Sequence, residues 1–504
     1  MSLLTVADIF SDHMVLRHSR LNPVWGTAPA GAEVEVRLAW KTASCCADDQ
    51  GRWTVWIDAP GPGSVTRMTV RCGEKSVAFE DVACGEVWLA GGQSNMELPL
   101  MCMNGAAKWA DDAVNANVRL KKIPRRTGEK RQAGWHFYPT ESYDEPWQHA
   151  DRDSAAKFSA IGYVFGAMLA KKLHMPVGVI ECNWGGTMIQ SWMPTDYIMA
   201  HEDTRRDMAA YQAARDAMGE EKAREVFEEY QRTVRQAMIN EPDFVDNNLK
   251  DPLNFLKEDR NIAFIPMGGD GSHEKPGVLY DYMVARVAPY GLSGVLWYQG
   301  EANGMEGEAQ RYADLFGRML RIWRGAWMDP KLPFLTCQLA PFLTSLYWGD
   351  RDNWPELRRQ QELCSDLYSR TSMAVLLDVG MERNIHPLDK EPVAERLYRL
   401  ALEDVYGIPA QAHAARPVSC TLGQGCVTVC FTEPVEMREG EKPMLLTVAG
   451  RTPARVEQPD PCTLALYPQE DGPLQGACYA QSSWLVPGLF DHKGLPVAPF
   501  RMTV

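Results

Sequence analysis

Four short segments, far apart in the chain, carry side chains suited to acyl transfer. They are Gln93-Ser94-Asn95 behind the pair Gly91-Gly92, Asn183-Trp184-Gly185-Gly186-Thr187, Gln299-Gly300-Glu301-Ala302-Asn303, and Ile385-His386-Pro387. A serine hydroxyl is a weak nucleophile until a base takes its proton. Ser94 is the candidate nucleophile and His386 the candidate base, which would later protonate a leaving alcohol. Attack on an ester carbonyl gathers negative charge on its oxygen, and preorganised N–H donors stabilise that charge. The candidate donors are the backbone N–H of Ser94, a backbone N–H at Gly185 or Gly186, and the side-chain amide of Asn303. Glycine suits a backbone that must approach a substrate closely, because no Cβ intervenes. Each element alone is ordinary: a serine after a strand caps a helix, a glycine pair makes a turn, a histidine before proline sits in a loop. The ordered conjunction carries the reading. Gly92-Gln93-Ser94-Asn95-Met96 is not the G-x-S-x-G elbow of the α/β-hydrolases, since Met96 stands at the final glycine position.

Such residues need strands to position them. Each segment follows a short apolar run: Glu86 to Ala90, Val177 to Ile180, Leu292 to Tyr298, and Ala374 to Val379. Helical patterns lie between, from Ser154 to Leu173 and from Gln310 to Trp323. Continuous apolar strands alternating with helices predict a parallel sheet covered on both faces, whose ligands bind at the carboxyl ends of the strands. Upstream, alternating runs such as Glu33 to Leu38 and Trp53 to Ile57, separated by turn clusters, predict a small antiparallel sandwich over residues 1–82. The α/β core is expected over 83–200 and 276–407. Between them, 201–275 reads as an insertion, helical from Arg205 to Met238 and then rich in Asp, Asn, Gly and Pro. Strand-like runs return in a second β domain over 408–504.

The chain has 504 residues, enough for two to four domains. Lys plus Arg number 52 against 66 Asp plus Glu, a net charge of −14, which argues against nucleic acid or an anionic membrane as partner. The 13 cysteines include no C-x-x-C pair and read as reduced structural thiols rather than a zinc site. The N-terminus lacks the basic and long apolar regions of a signal peptide, and no segment reaches the roughly 20 apolar residues that span a bilayer. The expectation is a soluble chain, cytoplasmic as the sequence stands, periplasmic or secreted if a signal was removed. Its oligomeric state is not legible.

The four segments resemble the sequence blocks of SGNH hydrolases, and more closely those of the sialate O-acetylesterase family and its carbohydrate acetylesterase relatives. The opening Phe10-Ser11-Asp12-His13-Met14-Val15-Leu16, Leu279-Tyr280 and Gln338-Leu339-Ala340-Pro341 are similar to that family as well. The resemblance implies Ser94 as nucleophile and His386 as base. It implies an oxyanion hole from Ser94, a glycine of the second block and Asn303. It also implies a flavodoxin-like three-layer α/β/α core with β-sandwich-like embellishments, and no metal or other cofactor. The expected substrate is an acetylated carbohydrate, first a 9-O-acetylated sialic acid. An acetylxylan esterase is the alternative of the same chemistry. A carbohydrate-binding protein with a degenerate hydrolase core is the alternative from another class.

One departure stands out. Many SGNH enzymes place an acid three or two residues before the histidine, where this chain has Arg383 and Asn384. Asp378 is the first candidate to orient the imidazole, with Glu382 and Glu301 as alternatives, or a Ser-His dyad with a backbone carbonyl. Gln93, Gln299, Glu301 and Trp184 beside the blocks are candidates for binding sugar, and Trp192, Trp297 and Tyr298 are candidate pocket walls. Arg383 is the one arginine in the blocks placed to meet an anionic sugar.

Overall fold

The computed structural model describes residues 3–128, 145–239, 249–250, 267–305, 307–345, 353–423, 425–470 and 472–504. The chain divides into two compact units, residues 1–299 with 318–334, and residues 300–317 with 335–504.

The first unit opens with antiparallel strands whose alternation is the one read from sequence. In Glu33–Leu38 and Arg52–Asp58 every second side chain is buried. Strand Lys75–Gly92 then runs on without a break. Its first half pairs antiparallel with Val65–Cys72, and its last seven residues pair parallel with Val177–Asn183. One strand thus crosses position 82–83, where the sequence pattern places a domain boundary. The N-terminal β module and the α/β core share a backbone.

Val118–Lys122 flanks Val177–Asn183 on one side, and Gly294–Tyr298 flanks the long strand on the other, all parallel. Every residue of Val177–Asn183 and Gly294–Tyr298 is buried, the signature of a strand covered on both faces. Helix Ala160–Leu173 covers these strands. Ser159 caps it by accepting from Gly162 N–H at 3.1 Å. Helices Glu202–Met218 and Glu220–Ile239, separated at Gly219, form the helical excursion. Residues 240–248 and 251–266 of the expected insertion lie outside the described residues. Among the described residues no helix is long and apolar enough to cross a membrane.

The second unit carries helices Trp354–Leu367 and Glu391–Leu400, strand Thr371–Ala374 and the C-terminal β sheets. In one sheet, Cys426–Phe431 lies between Pro417–Gly423 and Thr463–Pro468; in another, Leu474–Tyr479 lies between Met444–Thr447 and Phe500–Thr503. Val427, Val429, Leu464 and Leu466 of the first share one core with Leu445, Ala477 and Phe500 of the second. Here the structure corrects one expectation. The apolar run Ala374 to Val379 is not a strand, because the strand ends at Ala374. Val375 and Leu377 are buried instead in the core of the C-terminal β sheets. Their apolarity serves packing on that core rather than membership of a sheet. All 13 cysteines are free thiols.

Candidate active site

Parallel register sets the level of the candidate groups in the first unit. Asn183 and Tyr298 are both the register partners of Gly92, in the strands on either side of it. Gln93 N–H donates to Tyr298 O at 2.9 Å and Trp184 N–H to Gly92 O at 3.1 Å, so the ladder is closed up to its last rung. The chain therefore leaves the sheet at one edge in three places: before Gln93-Ser94, before Trp184-Gly185-Gly186, and at Gln299. Carboxyl ends of adjacent parallel strands are where α/β sheets build their sites.

Gly92 makes the turn into Ser94. Its φ is +131°, and a Cβ there would lie 2.1 Å from Tyr298 O, so no other residue fits. Gln93 is extended, and Ser94 begins the single helical turn Ser94–Glu97. The N–H groups of a helix's first turn point along the axis past its N-terminal end and have no acceptor within the helix. Ser94 is buried at 3% exposure, as are Gln93 and Asn95.

The glutamine side chains are used internally. Gln299 Nε2 donates to Gln93 Oε1 at 3.2 Å and to Thr187 O at 3.0 Å. This bond set ties the three strand-end segments together. Trp184 is fully buried, and its ring stacks on His273 with centroids 5.1 Å apart. A ring closed off in this way braces the loop and presents no face to a sugar. Trp192, Trp297 and Tyr298 are also buried, with Trp192 and Trp297 packed edge to face at 5.8 Å.

The two glycines of the second block differ. Gly185 N–H donates to Glu97 Oε2 at 2.6 Å, so it is committed to a carboxylate. Gly186 has φ +73°, and its Cβ position is clear apart from His273 Nε2 at 3.5 Å. Glu97 in turn meets Arg125 at 2.9 Å, both deeply buried, and Arg125 Nε donates to Asn183 O at 3.3 Å. Burial raises the Glu97 carboxyl above its usual range, while Arg125 and the Gly185 N–H hold it down. Burial and the Arg125 guanidinium push His273 down to about 3, so its imidazole is neutral.

The second unit carries the remaining groups. Asn303 is fully buried and ends the short turn Glu301–Asn303, its N–H bonded to Gly300 O at 2.8 Å. His386 is partly exposed, and its backbone N–H donates to Asn384 Oδ1 at 3.0 Å. Asn384, one of the residues standing where an acid was expected, thus shapes the histidine loop. Desolvation and the Lys390 ammonium push the His386 imidazole down to about 3, which leaves it neutral. Lys390 is itself buried and pushed down to about 7, by desolvation against the pull of Glu301, Cys337 and Asp389. Glu382 and Arg383 are exposed on the same loop.

Asp378 lies in a turn beyond the strand end, held by a two-pronged ion pair. Arg396 donates to Oδ1 at 2.7 Å and to Oδ2 at 2.6 Å, and also to Val375 O at 2.7 Å. Both carboxylate oxygens are engaged in the fork geometry that makes Arg–carboxylate pairs strong. Sequence reasoning singled out none of Glu97, Arg125, His273 and Lys390. In a sequence, buried charges carry no pattern that separates them from solvated ones.

Residues 84–241 and 244–375 match the family described as carbohydrate esterase, sialic acid-specific acetylesterase. The chain belongs to this family. It is a carboxylic ester hydrolase. The matched segments contain Ser94, Gly185, Gly186 and Asn303, whereas His386 lies beyond their end. The chain is 26% identical over 436 residues to a sialate O-acetylesterase of Rattus norvegicus, covering 80% of this chain and 73% of that protein. It is 23% identical over 434 residues to the human sialate O-acetylesterase, covering 80% and 71%. Its fold is similar to the crystal structure of a carbohydrate acetylesterase from Xanthomonas citri, with a TM-score of 0.76, 25% identity and 99% of both chains covered.

Proposed function

We propose that this esterase removes O-acetyl groups from carbohydrates through an acyl-enzyme on Ser94, with 9-O-acetylated sialic acids as its substrates. The observation that carries the reading is the common level of three parallel strand ends, with Ser94 directly after the central one, in a chain of this family. The names of the rat and human relatives support the sialate substrate.

In this reading Ser94 Oγ attacks the acetyl carbonyl and its proton passes to His386. The oxyanion accepts from the N–H of Ser94, the N–H of Gly186 and the side-chain amide of Asn303. Gly185 drops out as a donor because its N–H already serves Glu97. The intermediate collapses, and the imidazolium protonates the departing sugar hydroxyl. Water, activated by the same imidazole, then releases acetate and restores Ser94. A base already neutral in the folded protein needs no prior deprotonation. With Asp378 held by Arg396, we assign no orienting role to it, and a Ser-His dyad or Glu301 takes its place. Arg383, exposed beside the histidine, is the cation we assign to a sialate carboxylate on this acidic protein.

The experiment is acetate release from 9-O-acetyl-N-acetylneuraminic acid measured beside acetylated xylo-oligosaccharides at equal ester concentration. Preference for the sialate ester supports the reading. Preference for the xylan ester moves the substrate to the alternative, and binding of both without turnover would leave a carbohydrate-binding protein.

A further inference from the structure

We infer that Glu97, neutralised by Arg125, is a positioning residue that sets the oxyanion hole by fixing which glycine faces the substrate. This inference rests on the serine-esterase reading above. Glu97 ends the helical turn that Ser94 begins, so nucleophile and carboxylate move as one piece. Its Oε2 takes the Gly185 N–H at 2.6 Å, which fixes the peptide between Trp184 and Gly185 and sets the direction of the next one. Gly186 follows in the left-handed region at φ +73°. Arg125 reaches the same place from beyond strand Val118–Lys122. It pairs with Glu97 at 2.9 Å and donates to Asn183 O at 3.3 Å, the residue just before Trp184.

Electrostatics explains why both partners are present. A buried carboxylate bonded to one glycine of an oxyanion loop would repel the negative charge developing at the next. In a low-dielectric site that repulsion would be large. Arg125 cancels it, and Lys122 and Glu181 beside them form a second balanced pair at 4.0 Å. The result keeps the geometric benefit of a strong charge-assisted hydrogen bond while leaving the loop neutral. The role is distinct from a fold-stabilising ion pair, because the glycine after the one it holds, Gly186, is the proposed donor to the oxyanion.

The test compares Glu97→Leu, which loses acceptor and charge, with Glu97→Gln, which keeps an acceptor for Gly185. The readouts are kcat per folded, fluorophosphonate-titratable site and KM, with 4-nitrophenyl acetate as probe. Loss of one oxyanion donor lowers kcat by about 10²–10³-fold. Glu97→Leu is therefore expected to fall by about 10²-fold in kcat with KM within about threefold, and Glu97→Gln to stay within about tenfold of wild type. A kcat for Glu97→Leu within about threefold of wild type, or Glu97→Gln as damaged as Glu97→Leu, overturns the inference. Should Glu97→Leu fail to fold, the double variant Glu97→Gln/Arg125→Met decides. It keeps the hydrogen bond and removes both charges, so kcat within about tenfold supports the inference, and a loss of about 10²-fold or more overturns it. An active Ser94→Ala would instead sink the serine reading itself, whatever the Glu97 variants do.

Discussion

Replacing Gly92 by alanine puts a methyl group where the sheet has no room. The Cβ would lie 2.1 Å from Tyr298 O and 2.7 Å from Tyr298 C, and these are backbone atoms that no rotamer change can move. At φ +131° an L-residue is also strained, at a cost of about 1–3 kcal/mol. Relieving the overlap by backbone shifts costs a further ~1–3 kcal/mol, so the substitution should destabilise the first unit by roughly 2–6 kcal/mol. Gly105→Ala is the control: its φ is +72°, but the nearest atom to a Cβ is Lys108 Cε at 4.0 Å. Only the left-handed backbone is penalised there, by about 1 kcal/mol. At ~2.1 cal/mol/K per residue, a unit of this size shifts by ~1.5 °C per kcal/mol, so Gly92→Ala should lower the thermal midpoint by at least ~3 °C and by more than the control. Activity should fall further than stability, because Tyr298 O also accepts the Gln93 N–H at 2.9 Å. A shift of Gly92 drags Gln93 and Ser94, and a misplacement of about 1 Å can cost ~10²-fold in rate. Differential scanning calorimetry and kcat/KM on 4-nitrophenyl acetate, at a temperature where both variants are folded, check this. Equal midpoints for the two variants with wild-type turnover in Gly92→Ala would refute the reasoning.

Three further predictions concern the second unit. His386 is lowered to about 3 from an ordinary value near 6.5, so the base stays unprotonated as pH falls through 6.5, and the acid limb of kcat/KM should lie below pH 5. Lys390→Met removes a charge that disfavours the imidazolium and should move that limb upward; an unmoved limb refutes the role of Lys390. Asp378→Asn keeps shape but breaks the ion pair with Arg396, so it should lower the thermal midpoint while kcat per folded molecule stays within about threefold. A loss of the ~10⁴-fold size seen when a triad carboxylate is replaced by an amide would restore Asp378 as orienter.

The strands were legible where both faces are buried. Val177 to Ile180 and the run up to Tyr298 are continuous apolar segments, and both strands are buried throughout. The run Ala374 to Val379 misled for the same reason, since Val375 and Leu377 are equally apolar but fill the C-terminal β core. Ser94, the glycines and Asn303 are legible as candidates because each follows a strand, and α/β sheets build their sites at strand ends. Asp378 was chosen by nearness in sequence to His386, which says nothing of Arg396 reaching it from helix Glu391–Leu400. Nothing in the sequence around Arg125 marks it as buried, yet it lies buried against Glu97. Gln93, Gln299 and Trp184 have the polarity of ligand-binding side chains, and only their partners reveal that they brace the loops.

The central claim is that Ser94 carries the acetyl group. The most direct measurement is acetate release from 9-O-acetyl-N-acetylneuraminic acid by Ser94→Ala, with intact-mass detection of a fluorophosphonate adduct on the wild-type chain. The account predicts a loss of about 10³-fold or more in kcat and an adduct that maps to Ser94. Wild-type-like acetate release by Ser94→Ala, or an adduct on another residue, would contradict it.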